Sequence, residues 1–192
     1  MRLFFTHIST PVGDMMAVAR NDALVLLDFC DRRDLDTAVA SVCHRFDCDP
    51  PNENGDHPIC NQTRNELVEY FAGQRTAFAL PLDLPGVAGS FERGAWDYLR
   101  SIPFGETRTY GQQAREIGSP NAARAVGRAN GRNSLCIVLP CHRVIGATGH
   151  LTGYGGGVSR KKWLLEHERA RAGPGTLFDA RSARSTATTV PR

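Results

Sequence analysis

No stretch of this 192-residue chain is apolar over the length a membrane span requires, and no charged-then-apolar leader opens it. The expectation is a cytoplasmic protein with no membrane partner. Charge of one sign is also scarce: the net charge is only +3. A nucleic-acid partner is permitted but not demanded, and any phosphate-binding surface must come from local clustering. The glycine-rich stretch Leu151–Gly157 lacks the Gly-Lys-Ser/Thr ending and the preceding parallel strand of a phosphate loop, which excludes that chemistry. There is no internal repeat and no low-complexity segment before the tail, which runs from about Arg171 and is rich in Arg, Ser, Thr and Ala. With 41% hydrophobic and 22% charged residues, the chain is globular rather than disordered. Its length allows one large domain or two small ones. In a reducing compartment the six cysteines are expected to be free thiols.

What is present centres on Leu139-Pro140-Cys141-His142-Arg143-Val144, just after the apolar run Cys136–Leu139. That run predicts a thiol held at a strand end, away from bulk water. A second histidine, His150, a glycine-rich turn and a helix carrying Glu168 follow. Thiol, imidazole and carboxylate are the parts of an activated sulfur nucleophile. For a lone Cys-His pair, the ordinary alternative is a buried thiol beside a surface imidazole.

Residues 1 to about 80 read as a small α/β unit. Strands are predicted over Leu3–Ile8, Met15–Ala19 and Ala23–Phe29, the last two joined by an Asn21-Asp22 turn. A helix carries Leu35, Ala38, Val39, Val42 and Phe46, with Asp34 placed to cap it. Asp47–Pro58 reads as a loop, 61–72 as a helix burying Leu67, Tyr70 and Phe71, Ala77–Leu80 as a strand, and Pro81–Ser90 as a linker. Cys43, His44, Cys48, His57 and Cys60 fall within eighteen residues. Either they hold zinc or they simply pack. Their spacing fits no common finger, and Cys43 shares the apolar side of its helix, so packing is the expectation.

In the second half, Phe91–Ile102 is predicted to be a helix with Phe91, Ala95, Trp96 and Leu99 on one face. Tyr110–Ile117 and Asn121–Asn130 form two short helices about a Gly118-Ser119-Pro120 turn, a helix-turn-helix pattern. The second of them is built of small residues, with Arg124 and Arg128 one turn apart. Small residues let a helix approach a surface closely, and the arginines give it a basic face for phosphates. The alternative is a helix packed on its neighbour with solvated arginines. The glycine-rich stretch reads as a flexible hairpin whose bare backbone can approach a flat ligand, with Tyr154 beside it. In the last helix, from about Ser159, Trp163, Leu164 and Leu165 form the apolar face. Glu168 shares that buried side and needs a partner, for which His142 is the natural candidate. Glu166 points elsewhere, one turn from Lys162.

These residues resemble the O6-alkylguanine-DNA alkyltransferases. The likeness rests on Pro140–Val144, Ile102–Thr107, Ala122–Gly127, Gly153–Gly157 and Trp163–Glu168, and more loosely on Ser9–Gly13 and Leu26–Phe29. It implies a stand-alone bacterial-type member of α/β class with two domains. The first, 1–85, would be a ribonuclease-H-like α/β domain; the second, 86–170, a winged-helix-like (helix-turn-helix) DNA-binding and catalytic domain; 171–192 would be a mobile tail. It further implies Cys141 as alkyl acceptor, His142 as the base acting through a water, Glu168 as the carboxylate orienting it, and Asn133 as the brace of the active-site turn. Tyr110 would contact the target base and assist its departure. Arg124 would fill the gap left by the flipped nucleotide, with Ala122, Ala123 and Arg128 also at the DNA. Val144, Tyr154 and Gly155 would line the pocket. The implied partner is double-stranded DNA bearing alkylated bases, acted on by a monomer with no cofactor and no metal. A competing reading is a lesion-binding sensor that transfers nothing; sensors of that kind replace the acceptor cysteine, whereas Cys141 is present. A cysteine hydrolase would leave the helix-turn-helix unexplained, and a transcription factor would need base-reading side chains that the alanine-rich helix lacks. Cys136, where the family commonly has an apolar or small residue, is either a packed thiol or a redox partner.

Overall fold

The structure, a computed structural model, describes residues 1–84 and 90–172. The tail expected over 171–192 and the middle of the expected linker therefore lie almost wholly outside the described residues. None of the described helices is long and apolar enough to cross a membrane.

A four-stranded sheet opens the chain: β1 (Phe4–Ile8), β2 (Met15–Arg20), β3 (Ala23–Phe29) and β4 (Asn52–Glu53), in the order β3-β2-β1-β4. The first three form an antiparallel meander; β4, inside the segment expected to be a loop, adds parallel to β1. All of β3 is buried because both sheet faces are covered. On one face Val18, Val25 and Leu26 pack with Leu35 and Val42 of α1 (Leu35–Phe46). On the other, Met15, Ala17, Leu24, Leu27 and Phe29 meet Ile59, Cys60, Leu67 and Tyr70 of α2 (Pro58–Phe71). α2 starts earlier than expected, because Pro58 suits the first helical position, where no N–H bond is lost. Asp34 does not cap α1; its carboxylate is bound by Arg32 at 2.6 and 3.0 Å. Ala77–Leu80 forms no strand; sheet-type pairing comes just later, where Leu82 bridges Leu24.

The second core-facing layer is α-helical and shares the α2-side core. Trp96, Leu99, Leu135, Cys136 and Leu164 belong to the same apolar cluster as Tyr70 and Leu27. α3 (Phe91–Leu99) is capped by Ser90, whose hydroxyl accepts from Arg93 N–H at 3.3 Å. It buries Ala95, Trp96 and Leu99, while Phe91 is 38% exposed rather than on the buried face. β5 (Arg108–Thr109) leads into α4 (Tyr110–Glu116), which opens with a Thr109–Gln112 capping box. α5 (Ala123–Gly131) follows. Buried amides hold this helix-turn-helix together: Gln113 and Asn130 exchange hydrogen bonds at 3.2 and 2.8 Å, and Gln113 also donates to the Ala95 carbonyl at 2.9 Å. Trp96 Nε1 donates to the Ala129 carbonyl at 2.9 Å. β6 (Val144–Ile145) pairs parallel with β5, and α6 (Val158–Arg169) closes the described fold.

Candidate active site

Cys141 does not end a strand. It opens a single 3-10 turn, Cys141–Arg143, and the apolar residues before it make only isolated bridges, Leu27 to Leu135 and Cys136 to Leu139. The thiol is 5% exposed. Asn133 Nδ2 donates to Cys141 Sγ at 3.1 Å and to the Leu139 carbonyl at 2.9 Å, while its Oδ1 accepts from Leu135 N–H at 3.0 Å. One amide thus ties both sides of the turn to the sulfur. The Cys136 thiol beside it pulls the Cys141 pKa down; burial opposes this, and Asn133 and the charge of Lys161 reinforce it. The net direction is downward, toward thiolate.

His142 is fully buried. Its Nε2 lies 2.8 Å from Glu168 Oε1. Burial pushes the imidazole pKa down, so the ring is neutral at pH 7. A neutral ring beside an ionised carboxylate carries its proton on Nε2, facing Glu168, which leaves the Nδ1 lone pair as the basic atom. That Nδ1 has no hydrogen-bond partner among the described residues.

Glu168 is also fully buried. Burial alone would favour its acid form, but His142 and Arg143 outweigh this and hold the carboxyl far below the usual range. Arg143 reaches it in a two-pronged pair, Nε to Oε2 at 2.9 Å and Nη2 to Oε1 at 3.0 Å. The Tyr70 hydroxyl and the Gly105 N–H complete its shell, at 2.8 and 3.1 Å. Glu166 by contrast is exposed, 3.8 Å from Lys162. Of the apolar residues expected on this helix face only Leu164 is fully buried; Trp163 and Leu165 are half-buried, and Lys161, His167 and Glu168 share the inner side.

The Tyr110 hydroxyl donates to the Thr152 carbonyl at 3.1 Å. Burial, reinforced by the charge of Cys141, raises its pKa, so it stays a proton donor at neutral pH. Lys161 Nζ reaches the Val144 carbonyl at 2.6 Å, the Thr152 carbonyl at 3.0 Å and the Tyr110 hydroxyl at 3.4 Å. Burial brings its pKa down to about 8. Val144 is fully buried, Tyr154 half-buried and Gly155 exposed. The glycine-rich stretch forms no hairpin. The close backbone approach there is Gly156 against the Phe29 ring, where any side chain would collide. Arg124 and Arg128 are exposed on α5, with Ala122 and Ala123 half-buried at its start. His150 is exposed and pairs with Thr148 at 2.7 Å, apart from this network.

Among the described residues, no group of three or more His, Cys, Asp or Glu is placed to hold a metal. Cys43 and Cys48 pack against the α1-side core, Cys60 lies in the α2-side core, and His57 stacks on Phe4 with ring centroids 4.7 Å apart.

Arg143, Tyr70 and Lys161 join the site without any functional role having been legible for them in the sequence. Lys161 carried a signal: with Leu164 and Glu168 it shares one helix face. Arg143 stood inside the quoted motif. Tyr70 was legible as a buried helix residue, but its reach to Glu168 spans the chain and no local pattern marks it.

Two family descriptions match the chain: the ribonuclease-like domain of 6-O-methylguanine DNA methyltransferase over residues 3–84, and the DNA binding domain of the same protein over residues 90–170. A methylated-DNA--protein-cysteine methyltransferase of Mycobacterium leprae is 53% identical, aligned over 90% of this chain and 96% of its own. The protein of that name from Mycobacterium tuberculosis is 56% identical over 60% of this chain and 69% of its own. A crystal structure of Mycobacterium tuberculosis OGT in complex with DNA superposes with a TM-score of 0.72 at 40% identity, covering 89% of this chain and 96% of that one. The chain belongs to the methylated-DNA–protein-cysteine methyltransferase family.

Proposed function

We propose that this protein repairs DNA by moving the alkyl group of O6-alkylguanine, and of O4-alkylthymine, irreversibly onto Cys141, once per molecule. The observation that carries this reading is the buried Cys141, braced by Asn133 and followed directly by a histidine locked to Glu168. His142 Nδ1 takes the thiol proton through a water. The thiolate attacks the alkyl carbon, the sulfur–carbon bond forms as the carbon–oxygen bond breaks, and the electron pair leaves on guanine O6. The Tyr110 hydroxyl stabilises the departing base by donating a hydrogen bond. Because the product is a thioether, nothing regenerates the thiol.

A thiol this deep cannot reach a base inside a duplex, so the nucleotide must leave the stack at a cost of a few kcal/mol. Exposed Arg124 is suited to fill the gap, and Arg128 to a phosphate; the small residues Ala122 and Ala123 allow close approach of α5. Val144, Tyr154 and Gly155 would line the base pocket. Residues 86–170 carry DNA binding and chemistry. Residues 1–85 act as the structural unit, although Tyr70 reaches the catalytic carboxylate. One chain supplies every group named, which supports action as a monomer, and the work belongs in the cytoplasm with the DNA.

The test is intact mass after mixing with duplex DNA containing O6-methylguanine. One methyl gained, mapped to Cys141 and absent in Cys141→Ser, is the expected result. Tight lesion binding without transfer would instead support the sensor.

A further inference from the structure

Arg32 stands between β3 and α1, its side chain only 8% exposed. A guanidinium has five N–H groups, and each finds an acceptor here. Nε donates to Asp34 Oδ1 at 2.6 Å and Nη2 to Asp34 Oδ2 at 3.0 Å. Nη1 donates to Oδ2 of Asp28, a fully buried carboxylate of β3. The remaining two bonds cross to the second half of the chain: Nη2 to the Gly131 carbonyl at 3.2 Å and Nη1 to the Asn133 carbonyl at 3.3 Å. Gly131 is the last residue of α5, where carbonyls have no N–H of their own helix to accept from and the helix dipole favours a cation. Gly155 comes close to the same group: a Cβ there would stand 3.4 Å from Arg32 Nη1. One side chain of the sheet unit thus meets the end of α5, the Asn133 turn and the glycine-rich stretch.

Asn133 is the residue whose side chain holds the sulfur, with Nδ2 3.1 Å from Cys141 Sγ. Its carbonyl is held from the sheet side. Arg32 donates to it, and the Cys136 sulfur, 3.3 Å from Asp28 Oδ1, lies 4.0 Å from it. Both contacts lead back to Asp28, whose Oδ1 also accepts from Phe29 N–H at 2.9 Å. The carbonyl and the side chain leave the same Cα, so an Asn133 free to turn about its backbone carries the amide off the sulfur. A hydrogen bond to an ionised sulfur is stronger than one to a neutral thiol, so the amide's placement favours the thiolate. We propose that Arg32, anchored on Asp28, is a positioning residue for alkyl transfer: it fixes the Asn133 backbone so that the side-chain amide stays on Cys141 Sγ. With all five N–H groups engaged elsewhere, Arg32 reaches the sulfur only through Asn133. The inference rests on Cys141 being the acceptor of the alkyl group.

The test is the pH dependence of Cys141 carbamidomethylation by iodoacetamide, followed by peptide mass on the full chain, in a double-mutant cycle of Arg32 with Asn133. The other charged and titratable groups around Cys141 are Lys161 from α6, Tyr110 from α4, Asp28 from β3, Cys136, Tyr154 and the adjoining His142. Asn133→Ala should raise the Cys141 midpoint by about one unit, because the ionised sulfur loses a donor. Arg32→Met should raise it by about half a unit, slowing the reaction about threefold below the midpoint. In the Asn133→Ala background, Arg32→Met should add nothing further. Arg32→Met strands the buried Asp28 carboxylate, so the charge-neutral combination of Arg32→Met with Asp28→Asn replaces it if the single variant fails to fold by circular dichroism. An unchanged midpoint in the folded variant overturns the proposal. So does a full shift in the Asn133→Ala background, which would mean that Arg32 acts on the sulfur by its charge and not through the amide. Iodoacetamide requires no DNA, so the expected cycle without methyl transfer from DNA would uphold the positioning role and sink the repair reading alone.

Discussion

The Tyr70 hydroxyl donates to Glu168 Oε1 at 2.8 Å across 98 residues of sequence. It joins α2 of the sheet unit to the carboxylate that holds His142. His167 Nε2, 3.0 Å from the Tyr70 carbonyl, reinforces the junction. The N-terminal half therefore helps hold Glu168 in place as well as supporting the fold.

Tyr70→Phe removes one of the donors to Glu168 and keeps the ring that packs against Phe71, Phe78 and Phe104. The expected loss is about 1–2 kcal/mol of stability, with alkyl transfer slowed several-fold. Urea denaturation and single-turnover transfer would measure the two; an unchanged transfer rate would mean the phenol only packs.

Glu168→Gln should slow transfer strongly, because His142 loses the charge that fixes its tautomer and Arg143 is left buried without its counter-ion. Breaking a buried pair in this way costs about 3–5 kcal/mol. Glu166→Gln, in an exposed pair, should change stability by less than about 1 kcal/mol and leave transfer unaltered. Equal effects in the two variants would contradict the roles assigned here.

Acid should destabilise the protein in two stages. The folded pKa of His142 lies below its ordinary 6.5, so below that pH the unfolded chain binds a proton that the folded chain refuses. The folded pKa of Glu168 lies below its ordinary 4.5, so its contribution is intact above 4.5 and is lost as pH falls further. Both act in one direction. Chemical denaturation at pH 7, 5.5 and 4 should therefore show a steady decline, and Glu168→Gln should flatten the most acidic part of it. A curve that rises toward acid would refute the assignment.

Lys161→Met removes the ammonium that ties the Val144 and Thr152 carbonyls together and supports the Cys141 thiolate. Transfer should slow at pH 7. Because Lys161 titrates at about 8, the parent loses the same charge in mildly alkaline solution, and the gap between the two rates should narrow above that pH. A gap independent of pH between 7 and 9 would assign Lys161 to packing alone.

Arg124→Ala should weaken transfer from duplex DNA far more than transfer from a free O6-alkylguanine base, since its proposed task is to fill the stack. Comparing the two substrates under single-turnover conditions would decide the matter; equal losses would remove Arg124 from that role.

Local sequence patterns sufficed for the elements and for the list of reactive groups. Period-2 and period-3.6 patterns are local, so β1 to β3, α1, α2 and the helix-turn-helix pair were legible to within a few residues. Glu168 was legible as the inward-facing acid of its helix because helical spacing fixes which side chains share a side. The apolar run before Cys141 misled for a physical reason: four buried apolar residues satisfy a strand or a tightly folded turn equally well, and the choice was made by β3, which binds Ser134 and Cys136 and leaves the rest to turn back. Asp34 was a sound cap in isolation and lost its carboxylate to Arg32. Which distant groups surround the buried charges follows from the packing and not from any local pattern. Glu168 takes Tyr70, Gly105 and Arg143 as well as His142, and the Cys141 sulfur takes the Asn133 amide. An ionised group buried away from water needs more partners than its neighbours in sequence can supply, and the fold recruits the remainder from wherever the packing brings a donor within reach.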